Sequence, residues 1–267
     1  MSLLNRSVGT SLDLLLAPSA QERLGRFILR RVRGEDNDDI ETNGEYALLR
    51  RLASSPQSPK MIFDVGANKG DWTKQACASF GKHAEFFAFE PVNNTYAYLA
   101  QQMTDLGKEY KVTAMHLALG DNDGAAEIQI SGQLAGSNSF YKRQGTNIKG
   151  ERIELVRVIR GDSFCRQHNI RRIGFLKIDT EGHEMAVLRG FDEMLSQRAV
   201  DLIQFEYGGC WIDARTYLKD AFALLSGYGY RLGRLMPNRV QWFDTYMQNL
   251  DDFRFSNWIA AASDATW

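Results

Sequence analysis

The chain has 267 residues, 44% hydrophobic and 24% charged, with a formal net charge of −1. These values place it among globular proteins of one large domain or two small ones, and they exclude a global field able to recruit nucleic acid or acidic lipid, leaving only local patches. Its three cysteines (Cys77, Cys165, Cys210) are odd in number and lack CxxC spacing, which argues against a disulfide framework or zinc knuckle and fits a reducing, cytoplasmic setting.

No run approaches the ~20 apolar residues that a membrane span needs. Residues 1–60 read as a helical extension. Leu12, Leu15 and Leu16 recur at helical spacing, in a run too short and too acidic for a signal peptide. Leu24, Phe27, Ile28 and Val32 form a second amphipathic stripe, with Arg23, Arg26, Arg30, Arg31 and Arg33 around it. The arginines read as a solvated helix face, with contact to an anionic partner as the alternative. The acidic turn Glu35–Asp39 interrupts the pattern, Glu45–Leu52 resumes it, and Ser54–Pro59 closes it as a loop.

Residues 61–267 read as one α/β domain. Met61–Val65 is a buried strand, Asp71–Phe80 a helix ending at Gly81, and Glu85–Phe89 a second strand. Asn93–Leu106 is a helix stopped by Gly107, and Lys111–Leu119 a third strand. The interval 124–160 reads as a β-extension, with strands at Ala126–Ile130 and Ile153–Ile159 and a long polar loop, Ser131–Gly150, at its tip. Loops of that length often serve as lids or binding loops. Strands follow at Phe175–Ile178 and Asp201–Phe205, with a helix over Glu184–Arg198 between them. Tyr228–Leu232, Val240–Phe243 and Trp258–Ala261 complete the sheet, in antiparallel fashion. Alternating strands and helices predict a mainly parallel sheet covered on both faces.

The turn after the first strand, Asp64-Val-Gly-Ala-Asn-Lys-Gly70, defines the first crevice. Its glycines are spaced G-x-x-x-G. A dinucleotide fingerprint requires G-x-G-x-x-G, whose second glycine admits a pyrophosphate, and here Asn68 holds that position. Asp64 is suited to accept from a cationic group. Glu90, directly after the second strand, is placed to take both hydroxyls of a ribose, and Pro91 suits the start of the next helix. An amino-acid-like end plus a ribose describes S-adenosylmethionine. The rival readings are a nicotinamide-linked Rossmann oxidoreductase and a non-catalytic binding module of the same fold.

Phe63-Asp-Val-Gly-Ala-Asn-Lys-Gly70, Phe89-Glu-Pro91, Ala118-Leu-Gly-Asp121, Leu176-Lys-Ile-Asp-Thr-Glu-Gly-His-Glu184 and Phe205-Glu-Tyr207 together resemble the FkbM-type methyltransferases, in the same order, over roughly residues 43–260. The resemblance implies a Rossmann-like class I methyltransferase with a mostly parallel, seven-stranded sheet, usually methylating an oxygen of a sugar or natural product. By that resemblance Asp64, Gly66, Asn68, Gly70 and Glu90 line the cofactor, with Ala67, Pro91 and Asp179 in the same set and Leu119 and Gly120 near the adenine. The partner it implies is a small hydroxylated acceptor, a sugar, glycan or secondary metabolite, with no nucleic acid; a homo-oligomer is left open.

A second crevice is predicted where Asp179 ends one strand and Glu206 the next, with Glu181, His183 and Glu184 in the turn and helix start between. Acids at a helix start are stabilised by the macrodipole, which accounts for Glu184. Asp179 and Glu206 end apolar strands, where desolvation is costly without a partner, and therefore read as functional. Methyl transfer to oxygen needs alignment and removal of the hydroxyl proton. His183 is the first candidate base, with Asp179 and Glu206 as carboxylate alternatives. A divalent ion on Asp179, Glu181 or Glu206 is another route, and an all-carboxylate set suits magnesium or calcium. Trp211 reads equally as a sugar-stacking or a packing residue.

Overall fold

The computed structural model describes residues 17–132, 134–144 and 152–262. The expected leucine stripe at Leu12, Leu15 and Leu16 and residues 145–150 of the long loop lie outside them. The helices are α1 (Pro18–Arg33), α2 (Glu45–Ala53), α3 (Asp71–Phe80), α4 (Asn93–Leu106), α5 (Gly161–Gln167), α6 (Glu184–Gly190), α7 (Asp192–Ser196), α8 (Cys210–Ala214) and α9 (Leu218–Gly227). The strands are β1 (Met61–Val65), β2 (Glu85–Phe89), β3 (Lys111–Met115), β4 (Ala118–Gly120), β5 (Gly124–Ile130), β6 (Arg152–Arg160), β7 (Ile173–Ile178), β8 (Val200–Tyr207), β9 (Tyr230–Met236), β10 (Arg239–Phe243) and β11 (Ser256–Ala262).

Eight strands form the main sheet in the order β10-β9-β11-β8-β7-β1-β2-β3. The run from β3 to β8 is parallel, and β11, β9 and β10 join it antiparallel to their neighbours. This is the expected Rossmann-like α/β architecture, with one strand more than the seven anticipated because β9 turns back into β10.

Strand alternation feeds two cores. Ile62, Phe86, Phe175, Leu202 and Ile259 face one side, under Leu48, Leu49 and Leu52 of α2 and Trp72, Ala76 and Phe80 of α3. Phe63, Val65, Phe89, Ile178 and Phe205 face the other, under Phe164, Leu188, Phe191 and Phe222. Both faces being covered explains why β1 and β7 read as continuous apolar runs.

Three expectations change. Lys111–Leu119 is not one strand: β3 stays in the main sheet, while β4 leaves it to pair with β6 in a separate sheet, β4-β6-β5. The helix expected over Glu184–Arg198 breaks at Phe191, whose fully buried ring spans the gap between α6 and α7. Helices α5, α8 and α9 carried no strong pattern in the sequence. Two are under eight residues, too short for a periodic stripe.

Strand order reverses at β1, with β2 on one side and β7 on the other. Ligands of open α/β sheets bind outside the carboxyl ends of the strands at that switch point. Gly66 and Asp179 stand there.

Candidate functional site

The turn after β1 is built on glycine. Gly66 has φ +84°, and a Cβ there would lie 1.8 Å from the Asp179 carbonyl oxygen. Only glycine combines that dihedral with that approach. The Gly66 and Ala67 N–H groups donate to the Phe89 carbonyl (3.0 and 2.9 Å), tying the turn to the end of β2.

A cleft opens beside this turn. Its walls are Gly66, Asn68, Phe89, Glu90, Leu119 and Asp179, with Ile128 and Phe140 from the β-extension. Glu90 is buried. One of its oxygens accepts from the Asn68 N–H (3.1 Å), the other from the Val92 N–H (2.9 Å). Burial pushes its pKa up to about 7 against those two bonds. Each oxygen retains a further lone pair for a ligand hydroxyl. Asn68, at φ +48°, has a buried Oδ1 with no hydrogen-bond partner among the described residues. A ligand bearing hydroxyl and amino donors satisfies both groups, so these residues fit an adenosine-type cofactor.

Of the residues expected around the cofactor, Gly66, Asn68, Glu90, Pro91, Leu119 and Asp179 line this cleft. Asp64, Ala67, Gly70 and Gly120 are not among the described residues that do. Asp64 is buried behind the turn. It accepts from Thr73 Oγ1 (2.6 Å), and Lys177 Nζ lies 3.7 Å away. Burial raises its pKa, against the pull of Lys177. Lys177 in turn donates to Asp179 Oδ2 (3.1 Å), so one buried ammonium joins the two strand ends. Ala67 packs with Leu99 and Met103. Gly70 precedes α3 at φ +85°, against the same two side chains.

A second, wider cleft adjoins the first and shares Gly66, Asn68, Gly136, Asp179 and Glu181 with it. Its further walls include Asp38, Glu45, Arg143, Glu206, Cys210 and Asp213. Glu206 is half-buried at the end of β8. Burial, then the charges of Asp179, Glu181 and Glu184, raise its pKa well above the usual carboxylate range. Glu181, at φ +56°, is pushed up to about 7 by burial and by Asp179, against its ion pair with Arg143. The cleft is thus strongly acidic, and its three glutamates, Glu45, Glu181 and Glu206, hold their protons more tightly than isolated acids.

Glu184 lies apart from both clefts among the described residues. Fully buried, it accepts from the Thr180 N–H (2.9 Å), Thr180 Oγ1 (3.0 Å) and the Gly182 N–H (3.0 Å), and so clamps the turn into α6. His183 also lines neither cleft. Its Nδ1 is 3.2 Å from Tyr141 Oη, its ring lies 4.3 Å from that of Phe140, and its Nε2 is buried against Gly120. Burial lowers its pKa to about 4. Trp211 is fully buried with its Nε1–H on the Glu206 carbonyl (3.0 Å); it packs in the core and offers no stacking face.

The potential metal-ligating atoms that converge are those of Glu181, Glu206 and Cys210, within 4.8 Å of one another; Asp179 is not in the group. The set fits magnesium or calcium poorly. Arg143 already neutralises Glu181, and burial with the neighbouring acids keeps the Cys210 thiol protonated.

Sequence reasoning missed Arg143 and Lys177, whereas the loop Ser131–Gly150, read as a lid or binding loop, contributes Ala135, Gly136, Asn138 and Phe140 to the first cleft's wall. Lys177 was visible within its motif, but a lysine inside an apolar strand reveals its partners only once β1 and β7 are paired.

Residues 64–232 match the family profile described as Methyltransferase FkbM domain. Over 168 residues the chain is 24% identical to hexuronic acid methyltransferase AglP of Haloferax volcanii, covering 63% of this chain and 65% of that protein. Over 147 residues it is 29% identical to Methyltransferase 1 of Beauveria bassiana, covering 49% and 58% respectively. The chain thus spans less than two thirds of each relative's length. The crystal structure of methyltransferase FkbM from Methylobacillus flagellatus superimposes with a TM-score of 0.47 at 15% identity, over 88% of this chain and 60% of that one.

Proposed function

The chain belongs to the methyltransferase FkbM domain family, and we propose that it is an S-adenosylmethionine-dependent methyltransferase acting on a hydroxyl of a small polyhydroxylated acceptor, a sugar or natural product. The observation that carries this reading is the junction of the two clefts. A donor-seeking pocket around Glu90 and Asn68 meets an acidic cleft at Gly66, Asp179 and Glu181. The Haloferax relative, described as a hexuronic acid methyltransferase, supports a sugar-type acceptor.

S-adenosylmethionine supplies, when bound, a methyl group activated on a sulfonium. Glu90 and Asn68 hold its ribose and adenosine donors, between the apolar walls of Phe89, Leu119 and Ile128. Asp179 and Glu206 face the acceptor side. A carboxylate on this wall is placed to take up the proton that the acceptor hydroxyl gives up. Arg143 holds Glu181 against the rim. Positioning of the acceptor oxygen by this wall supplies much of the remaining acceleration.

Calorimetry with S-adenosylhomocysteine tests the cofactor assignment. Wild type binds, and Glu90→Ala weakens binding about a hundredfold, the loss of two hydrogen bonds to a charged group. Tight binding of NAD with none of S-adenosylhomocysteine refutes it. Transfer of labelled methyl to a panel of sugars, with the product located by mass spectrometry, tests the acceptor class.

A further inference from the structure

Among the described residues, helix α1 contributes no side chain to any hydrophobic cluster. None of its residues is buried. Of the large hydrophobic side chains exposed among the described residues, Leu24, Phe27, Ile28, Leu29 and Val32 all belong to it, at 41–63% exposure. Leu24, Phe27, Ile28 and Val32 fall at i, i+3, i+4 and i+8 on one face, together with Arg31 at i+7, a side chain long enough to carry its charge past an apolar stem. Arg23, Arg26, Arg30 and Arg33 fall on the other side, and the helix carries five arginines against the single acid Glu22.

The helix is attached at its carboxyl end. Gly34, at φ +64°, returns its N–H to the Arg30 carbonyl. Arg33 pairs with Asp252 (3.4 Å), Arg30 with Asp36 (2.8 Å), and the following Glu35 with the buried Arg234 (2.7 Å). Among the described residues, nothing buries the apolar side chains of the helix. A contiguous exposed apolar patch of this kind marks an interaction surface.

We propose that α1 docks on an anionic lipid surface, lying in the interface with Leu24, Phe27, Ile28 and Val32 inserted and its arginines among the headgroups. An amphipathic helix with a cationic polar face and a Phe/Leu/Ile apolar face has the makeup of an interfacial helix. Its charge selects the occupant. Pairing with α1 of a second copy sets Arg23, Arg26 and Arg31 against their counterparts, whereas each arginine near an anionic leaflet adds to binding. The chain's net charge of −1 makes the remainder acidic, so attraction is confined to this helix. The segment leaving α1 continues into the acceptor cleft: Asp38 lines it, and the Asp36 N–H donates to the carbonyl of Phe255, another of its wall residues (2.9 Å). Docking therefore tethers that cleft beside the lipid surface.

The test is co-sedimentation of the full chain with phosphatidylcholine vesicles and with vesicles containing about one third phosphatidylglycerol, at low and high salt. The chain is expected to pellet with the anionic vesicles alone and to be released by salt. Phe27→Ser/Ile28→Ser and Arg23→Gln/Arg26→Gln are each expected to lower partitioning about tenfold or more, with circular dichroism and S-adenosylhomocysteine binding unchanged. Failure of wild type to pellet with anionic vesicles, or pelleting of both double variants to the same extent as wild type, overturns the proposal. A dimer by light scattering that Phe27→Ser/Ile28→Ser converts to monomer, without vesicle binding, assigns the face to a second copy instead. Cofactor binding is read independently, so failure here leaves the methyltransferase reading standing.

Discussion

The two clefts share Asp179 and Glu181 and otherwise have opposite characters. The cofactor cleft adds one carboxylate, Glu90, and its polar work is done by a strand-end turn and backbone N–H groups. The acceptor cleft adds Asp38, Glu45, Glu206 and Asp213, which come from distant parts of the chain. The difference teaches where each property originates. The first cleft follows from local turn chemistry at the sheet's switch point. The second exists only because long-range folding brings acids together and then supplies Lys177 and Arg143 to hold them.

Lys177 is the sharpest place to break that arrangement, because it touches both sides. It is almost fully buried, bonded to Asp179 and paired with Asp64. Lys177→Met leaves both carboxylates without their cation. Loss of a buried partner costs about 3–5 kcal/mol, and protonation of the orphaned acids relieves part of it as pH falls. Urea denaturation should show the loss at pH 8 and a smaller one at pH 5. An equal loss at both pH values would mean the ammonium contributes packing alone.

Glu206 lines the second cleft and not the first, so it tests the proposed division of labour. Glu206→Gln should leave S-adenosylhomocysteine affinity within about twofold while lowering kcat about a hundredfold or more, the usual size of a lost proton acceptor. Equal damage to both would erase the division between a binding cleft and a reacting one.

The same division governs what the sequence could tell. Gly66, Asn68 and Glu90 were legible because a strand, a turn and an acid adjoin in sequence, and the physics of that turn is local. Asp179 and Glu206 were legible as acids at the ends of apolar strands. What β4 does was not, since Lys111–Leu119 is uniformly strand-like and only tertiary pairing with β6 takes Ala118–Gly120 away from β3. The partnership of Glu181 with Arg143 was also hidden: it joins residues from two loops, and no periodicity links them.

Glu184 offers a smaller and cleaner measurement on the wall between the two regions. Its folded pKa, pushed up to about 7 by burial, exceeds the ordinary value of 4.5. The folded state therefore holds the proton more tightly. This contribution to stability is fully present below about pH 4.5, declines as pH rises through about 7, and is flat above. It amounts to on the order of 3 kcal/mol. Glu184→Gln keeps an acceptor oxygen for Thr180 and Gly182 and removes the titration. The decline in Tm between pH 5 and 7.5 should be shallower in the variant than in wild type; parallel curves would mean that Glu184 does not titrate there.

The smallest effect is expected at His183, and it bears most directly on which region does the chemistry. A histidine serving as base must reach the acceptor hydroxyl and titrate near the working pH. This one sits behind Phe140 and Tyr141, with its Nε2 against Gly120 and its pKa lowered to about 4. It is neutral at pH 7 and separated from the acidic cleft by the loop it supports. His183→Gln should reduce kcat less than about fivefold, a packing-sized change, and leave the acidic limb of the kcat–pH profile in place. A loss of a hundredfold together with disappearance of that limb would return the base to His183. It would also mean that the loop carrying Phe140 and Tyr141 opens during turnover to admit the acceptor from the extension side, so that the carboxylates of Asp179 and Glu206 position the hydroxyl without taking its proton.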